Sequence, residues 1–139
     1  MEPRVVEAYV RSGQVRFEYR DLPILGAASV RAAEAAACAA DQGGFWRYHD
    51  TLFRNQGTTG GSAYSDERLR AMATGIGLDA ASFDACLAAE THTADIVAGA
   101  REAQVQGIAS TPTLVVDGRV VEGFQWEDVR TAIDAALAG

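Results

Sequence analysis

The sequence contains no lysine, and its 19 acidic residues outnumber its 12 basic ones, which gives a net charge of −7. Nucleic acids are held chiefly by clusters of Lys and Arg on their phosphates, and the arginines here form no cluster. We therefore predict no nucleic-acid partner. The absence of lysine also excludes a phosphate-binding loop in the glycine-rich stretch 55–64, which we interpret as a surface linker.

Long apolar runs are missing as well. The most apolar stretch, residues 22–40, is rich in alanine and carries Arg31 and Glu34, which lipid rarely tolerates. We predict no membrane span. The first ten residues have an acidic second position and no long apolar region, so they do not form a secretory leader. The location stays open: cytoplasmic for the chain as given, extracytoplasmic if a leader has been removed.

Length and composition indicate one domain. With 139 residues, 48% of them hydrophobic, the chain is long enough for one core and too short for two independent ones. Pro3 suits the first turn of a short helix that ends before Ser12. The text QVRFEYR, residues 14–20, alternates apolar and polar residues with the period of a strand.

A helix-rich segment follows over residues 27–106. Two glycines at 43–44 break its first part into two helices, and Ser65 and Asp79 are predicted caps of two more. The last helix is predicted over about residues 90–106.

After this segment the period returns to that of strands. The text TLVVDGRVVE places Asp117 and Gly118 between two apolar runs, which is a strong hairpin pattern. A closing helix has apolar residues at spacings of three and four from Trp126 to Leu137.

This order of elements and three stretches of text resemble the DsbA family of thiol–disulfide oxidoreductases. The stretches are GQVRFEYRDLPILG, AAEAAACAADQGGFWRYHDTLF and GIASTPTLVVDGRVVEG. The resemblance implies an α/β, thioredoxin-like fold with an inserted helical block, here with the first strand absent. Residues 1–26 and 108–139 would form the thioredoxin-like part and residues 27–107 the helical insertion, within a single domain.

In that family the Thr-Pro pair before the hairpin has a cis peptide bond, and its exposed backbone holds an extended polypeptide substrate. The resemblance therefore assigns substrate binding to Thr111 and Pro112. The assignment is physically reasonable, because the cis form of an X-Pro bond costs only about 0.5 to 1 kcal/mol.

The family's catalytic Cys-x-x-Cys is absent, so we predict no catalytic residue. The chain begins within what resembles the family's first helix, and the central strand before that helix is absent with it. Unpaired strand edges would result. A second copy of the chain could pair with them, the 14–20 strand could join the hairpin in a three-stranded sheet, or the chain could be a fragment. We favour the interpretation that the chain is a fragment, and we expect it to form a homodimer that pairs the exposed strand edges.

The only cysteines, Cys38 and Cys86, both lie in predicted helices. From the residues alone, a redox pair, a fixed disulfide and two buried thiols are all open. Some extracytoplasmic relatives of DsbA carry a structural disulfide in the helical insertion, and this resemblance favours a bridge. Neither histidine has metal-ligand spacing: we expect His49 to pack among helices and His92 to be solvated, and we predict no metal or cofactor.

These features predict a truncated or degenerate DsbA-like protein without disulfide-exchange activity of its own. The alternative is a non-catalytic peptide-binding or assembly protein that uses Thr111 and Pro112. A glutathione-handling relative of the same broad fold, with Ser12 in place of a redox cysteine, is the least favoured, because Ser12 lies at a helix end.

Overall fold

The computed structural model describes residues 1–56 and 64–139, so most of the predicted surface linker, residues 57–63, lies outside the described residues. The described residues form two compact units. Unit 1 comprises Met1–Arg20 and Ile108–Gly139, and unit 2 comprises Asp21–Gly107. Unit 2 therefore interrupts the sequence of unit 1.

Helices dominate the described residues, and one short hairpin accompanies them. The helices are α1 (Glu2–Val5), which continues as a π-helical turn (Val6–Val10), α2 (Ala27–Ala40), α3 (Phe45–Arg54), α4 (Asp66–Gly75), α5 (Ala80–Ala89), α6 (Thr93–Val105) and α7 (Trp126–Ala138); the strands are β1 (Val115–Val116) and β2 (Arg119–Val120).

A small apolar core joins the two sequence segments of unit 1. Its buried members are Val5, Tyr9, Val129 and Ile133. The Tyr9 hydroxyl also donates a 2.6 Å hydrogen bond to Asp134 Oδ1. The first helix of the chain is thereby fastened to the last one.

The prediction of a strand over residues 14–20 is wrong, since the structure has no strand there. Val15 and Phe17 still pack against the core of unit 1, as the alternating pattern requires. A strand also needs a neighbouring backbone for its hydrogen bonds, and in the described parts of the chain the sheet contains only β1 and β2. The alternative of a three-stranded sheet is wrong for the same reason.

The predicted hairpin is confirmed. Val115 pairs with Val120 in an antiparallel ladder. The turn residues Asp117 and Gly118 have φ angles of 48° and 76°. These left-handed conformations fit a two-residue turn, whose twist matches that of the flanking strands.

Unit 2 is organised around α2, which packs against α3, α4, α5 and α6. The small side chains on α2 let the neighbouring helices pack close to its backbone from several sides. The largest buried side chains of the core come from those neighbours: Tyr48, Leu69, Phe83 and Leu87.

The predicted helix ends in unit 2 are largely confirmed. The Ser65 and Asp79 side chains accept backbone N–H groups at 3.5 and 2.8 Å and so cap α4 and α5. The glycine pair between α2 and α3 has a steric reason, because a Cβ on Gly44 would lie 2.7 Å from a methyl group of Leu78. None of the described helices is long and apolar enough to cross a lipid bilayer.

Candidate functional site

Thr111 and Pro112 lie on the surface of unit 1, shortly before β1. Both residues are exposed, and the peptide bond between them is cis. Thr113 Oγ1 donates a 2.7 Å hydrogen bond to the Ser110 carbonyl oxygen, which closes a bend around the pair. Across the described ranges, β1 pairs with β2 alone. An extended polypeptide laid along the other edge of β1 would gain backbone hydrogen bonds.

Cys38 and Cys86 form a disulfide within unit 2, with their sulfur atoms 1.99 Å apart. The bond joins the middle of unit 2, at α2, to the last turn of α5. Cys38 is buried at 1% exposure, whereas Cys86 is partly exposed. In the chain-entropy description, a bridge across this separation of 48 residues stabilises the fold by roughly 4 kcal/mol at most. The predicted structural disulfide is confirmed.

A buried carboxylate, Glu34, lies beside the disulfide. Its side chain is fully buried, and its Oε1 atom lies 3.7 Å from Cys38 Sγ. The carboxylate accepts hydrogen bonds from the His92 backbone N–H at 3.0 Å and from Thr93 Oγ1 at 2.7 Å. Glu34 therefore satisfies one backbone donor and one side-chain hydroxyl at the start of α6, where backbone N–H groups have no partner within the helix.

His92 and Asp41 also lie beside the disulfide. His92 Nε2 is 2.8 Å from Asp41 Oδ2, and this oxygen is 3.7 Å from Cys86 Sγ. The His92 side chain is 26% exposed and contacts Asp41, so it is partly solvated, less than predicted. Glu90, whose left-handed φ of 51° ends α5, turns the chain just before His92.

We call Glu34, Cys38, Asp41, Cys86 and His92 the disulfide cluster. Sequence reasoning paired the cysteines but missed the other three members. One pattern was available: Glu34, Cys38 and Asp41 are spaced i, i+4 and i+7, which places them on one face of a helix. His92 had no comparable pattern, because its position depends on the reversal at the end of α5.

His49 is buried among aromatic rings of α3. Its ring centroid lies 4.7 Å from that of Phe53, 5.5 Å from that of Trp46 and 5.9 Å from that of Phe45. The predicted packing role is confirmed. Burial raises the pKa of nearby Asp21 above its ordinary value of 3.8, and His49 acts in the opposite direction.

Comparison with protein families agrees with this architecture. The family described as Thioredoxin matches residues 1–135. The chain belongs to the thioredoxin family. A helical chain with a small two-stranded hairpin is compatible with a thioredoxin-like fold, and the disulfide is compatible with a fold of the thiol–disulfide oxidoreductase type.

Curated relatives of this thioredoxin-family chain include two much longer proteins. It is 33% identical over 142 residues to Na⁺/H⁺ antiporter NhaA 1 of Salinispora arenicola. It is 32% identical over 140 residues to Na⁺/H⁺ antiporter NhaA 3 of Salinispora tropica. Each alignment covers 99% of this chain and 21% of the relative. The chain thus spans about a fifth of the length of these relatives.

Proposed function

We propose that this chain is a DsbA-like member of the thioredoxin family that holds an extended polypeptide at Thr111 and Pro112. The observation that carries the proposal is the arrangement of the chain: a helical unit, Asp21–Gly107, interrupts a unit that begins with α1 and ends with the hairpin and α7. An inserted helical block of this kind is what the resemblance to DsbA implies.

We further propose that the chain does not exchange disulfides by itself. Its only cysteines form the Cys38–Cys86 bridge, and neither belongs to a Cys-x-x-Cys. A redox-active cysteine of that motif is an accessible thiolate near a helix start. Cys38 instead is 1% exposed and lies in the last turn of α2.

A graft tests the DsbA-like assignment. A strand followed by a Cys-x-x-Cys segment is fused ahead of Pro3, and the reduction of a model disulfide by a dithiol is measured with and without the graft. We expect the graft to accelerate exchange and the unmodified chain to do nothing above background. A matched graft with Ser-x-x-Ser controls for the added strand. A folded Cys-x-x-Cys graft that remains inactive would contradict the assignment.

Peptide binding without catalysis is the alternative role of the same surface, and it has its own test. The probe is an unfolded polypeptide whose cysteines are carbamidomethylated, titrated by fluorescence anisotropy. We expect saturable binding that Thr111→Trp weakens by about tenfold or more, because the bulky ring blocks approach to the exposed backbone. Thr131→Trp, on an exposed position of α7, is the matched control. A flat titration of the wild-type chain would remove this function.

We also propose that a domain of this kind serves as a module of a Na⁺/H⁺ antiporter. The support is that each antiporter relative contains a segment that aligns with 99% of the length of this chain, at 33% and 32% identity. The test replaces that segment of the S. arenicola protein with this chain, and deletes it in a parallel variant. Na⁺-driven proton movement and protein level are then measured in membrane vesicles. The proposal fails if the deletion changes neither quantity.

A further inference from the structure

We propose that Cys38, Cys86 and His92 form a Zn²⁺ site when the disulfide is reduced. Their ligand atoms all lie within 4.8 Å of one another, although the bridge occupies both sulfurs in this structure. The three residues belong to unit 2, whereas Thr111 and Pro112 belong to unit 1. The inference therefore does not depend on the function proposed for the Thr-Pro segment.

Asp41 supplies a fourth ligand. Its Oδ2 atom lies 2.8 Å from His92 Nε2 and 3.7 Å from Cys86 Sγ. Around a tetrahedral zinc ion, with bonds of about 2.0 to 2.3 Å, neighbouring ligand atoms are about 3.3 to 3.8 Å apart. The Asp41 oxygen thus already lies at the required separation from the Cys86 sulfur, and it has to move about 0.5 Å away from the His92 nitrogen to share a zinc ion with it.

The two sulfurs, which the bridge holds together, have to separate to about 3.8 Å around a zinc ion, and breaking the bond between them allows this. Each sulfur is carried by a different helix, Cys38 by α2 and Cys86 by α5. Side-chain rotation at either end can provide part of the separation without moving a helix.

The backbone around the site is fixed independently of the disulfide. Glu34 accepts hydrogen bonds from the His92 N–H at 3.0 Å and from Thr93 Oγ1 at 2.7 Å. These bonds tie the start of α6 to α2 and do not involve either cysteine. Supporting hydrogen bonds of this sort hold metal ligands in position before the metal arrives.

The ligand types favour zinc over the hard cations. Two cysteine sulfurs, an imidazole and a carboxylate match the ligands that Zn²⁺ takes, whereas Mg²⁺ and Ca²⁺ prefer oxygen alone. The borderline-soft character of Zn²⁺ suits a site whose sulfur ligands include the buried Cys38.

Two balanced steps lead to the site. A dithiol first transfers two electrons and two protons to the Cys38–Cys86 bond, which breaks to give two thiols while the dithiol becomes a disulfide. Zn²⁺ then displaces both thiol protons, which pass to the solvent, and binds the resulting thiolates.

Cobalt titration of the full chain tests the proposal. The chain is reduced with a dithiol, the dithiol is removed without air, and Co²⁺ is added as the optical probe for Zn²⁺. We expect one Co²⁺ per chain, with a thiolate-to-cobalt charge-transfer band and visible bands of tetrahedral cobalt that Zn²⁺ abolishes. The oxidised chain should show neither band.

Variants of the two histidines identify the ligand. His92→Gln should weaken Co²⁺ and Zn²⁺ binding by at least about tenfold, whereas His49→Gln, the matched change in α3, should leave the affinity unchanged. Helical circular dichroism is recorded in every titration.

The outcomes divide clearly. Metal binding by a chain that keeps or regains its helical signal, and that depends on His92, supports the proposal. A reduced chain without a thiolate band overturns it. Equal affinity in His92→Gln overturns it as well, and so does binding confined to a chain that has lost its helical signal.

Discussion

Glu34 determines how α6 begins. The backbone N–H groups in the first turn of a helix have no partner within the helix, and a side chain of the same segment usually satisfies one of them. At α6, a carboxylate from α2 does so across the core, because Glu34 is fully buried and lies 3.0 Å from the His92 nitrogen. A single side chain thus couples two helices and the surroundings of the disulfide.

Removing this carboxylate should destabilise the chain more than an ordinary surface change does. We predict that Glu34→Ala lowers the free energy of unfolding by about 3 kcal/mol, because the His92 N–H and the Thr93 hydroxyl lose their acceptor inside the fold. Urea unfolding followed by circular dichroism measures the change. Glu122→Ala, at an exposed position, should stay within about 0.5 kcal/mol of wild type. Similar losses in the two variants would contradict the role of Glu34.

A second polar pair fixes α4 to α2. Arg31 donates from Nε to Asp66 Oδ1 and from a terminal nitrogen to Asp66 Oδ2, both at 2.8 Å. The other terminal nitrogen donates to the Leu87 carbonyl oxygen at 2.7 Å. The Arg31 guanidinium holds the pKa of Asp66 below its ordinary value of 3.8.

This lowered pKa gives a pH dependence of known sign. The ionised Asp66 stabilises the folded chain at pH values above 3.8, and the contribution is lost as the pH falls through the lower pKa of the folded state. We predict that Asp66→Asn lowers the free energy of unfolding by about 1 kcal/mol at neutral pH. The difference from wild type should shrink as the pH falls below 3.8, as measured by urea unfolding at a series of pH values. A difference that is the same at every pH would show that the charge is not responsible.

At the scale of elements, alanine substitutions at two glycines should change the stability in opposite directions. Gly118 has a φ of 76° in the hairpin turn, and Gly99 lies in α6 with open space around the position of a Cβ. Gly118→Ala should lower the free energy of unfolding by about 1 kcal/mol, because the left-handed conformation opposes a side chain. Gly99→Ala should raise it by up to about 1 kcal/mol. Thermal unfolding of both variants decides the matter, and a loss of stability in both would contradict the second expectation.

The elements that the sequence predicts well are those specified by nearby residues. Caps at Ser65 and Asp79 and the Asp117-Gly118 turn act within a few residues, so local text is sufficient. The strand predicted over 14–20 fails because a strand depends on a partner elsewhere, and alternation reports only which side chains face the core. Val15 and Phe17 do face the core of unit 1, without a ladder.

At the scale of the whole molecule, the thioredoxin family could be inferred from the order of elements together with three stretches of text, but the disulfide cluster could not. The bridge between Cys38 and Cys86 was predicted only through resemblance, since a separation of 48 residues in the sequence does not determine the distance between two cysteines in space. His92 reaches the cluster because α5 ends in a left-handed turn and Glu34 binds the start of α6. Both causes depend on the three-dimensional structure, and neither produces a residue spacing from which the position of His92 could be predicted.

The outer side of the hairpin gives the last prediction, a homodimer formed through unit 1. Val115 and Val120 are paired across the ladder and are 48% and 55% exposed, and in the described residues β1 has a strand on one side only. An apolar strand with an unpaired edge tends to associate with another chain. We expect sedimentation velocity to show a mass that rises with concentration toward that of a dimer.

A lysine at Val115 should weaken this dimer by about tenfold or more, because association would then bury a charge at the paired edge. Val105→Lys is the matched control, since Val105 is 88% exposed on α6 in unit 2 and lies outside the hairpin. A wild-type chain that stays monomeric at high concentration would exclude edge pairing. Equal dissociation constants for the two lysine variants would place the interface on a different surface, because only Val115 adjoins the free edge of β1.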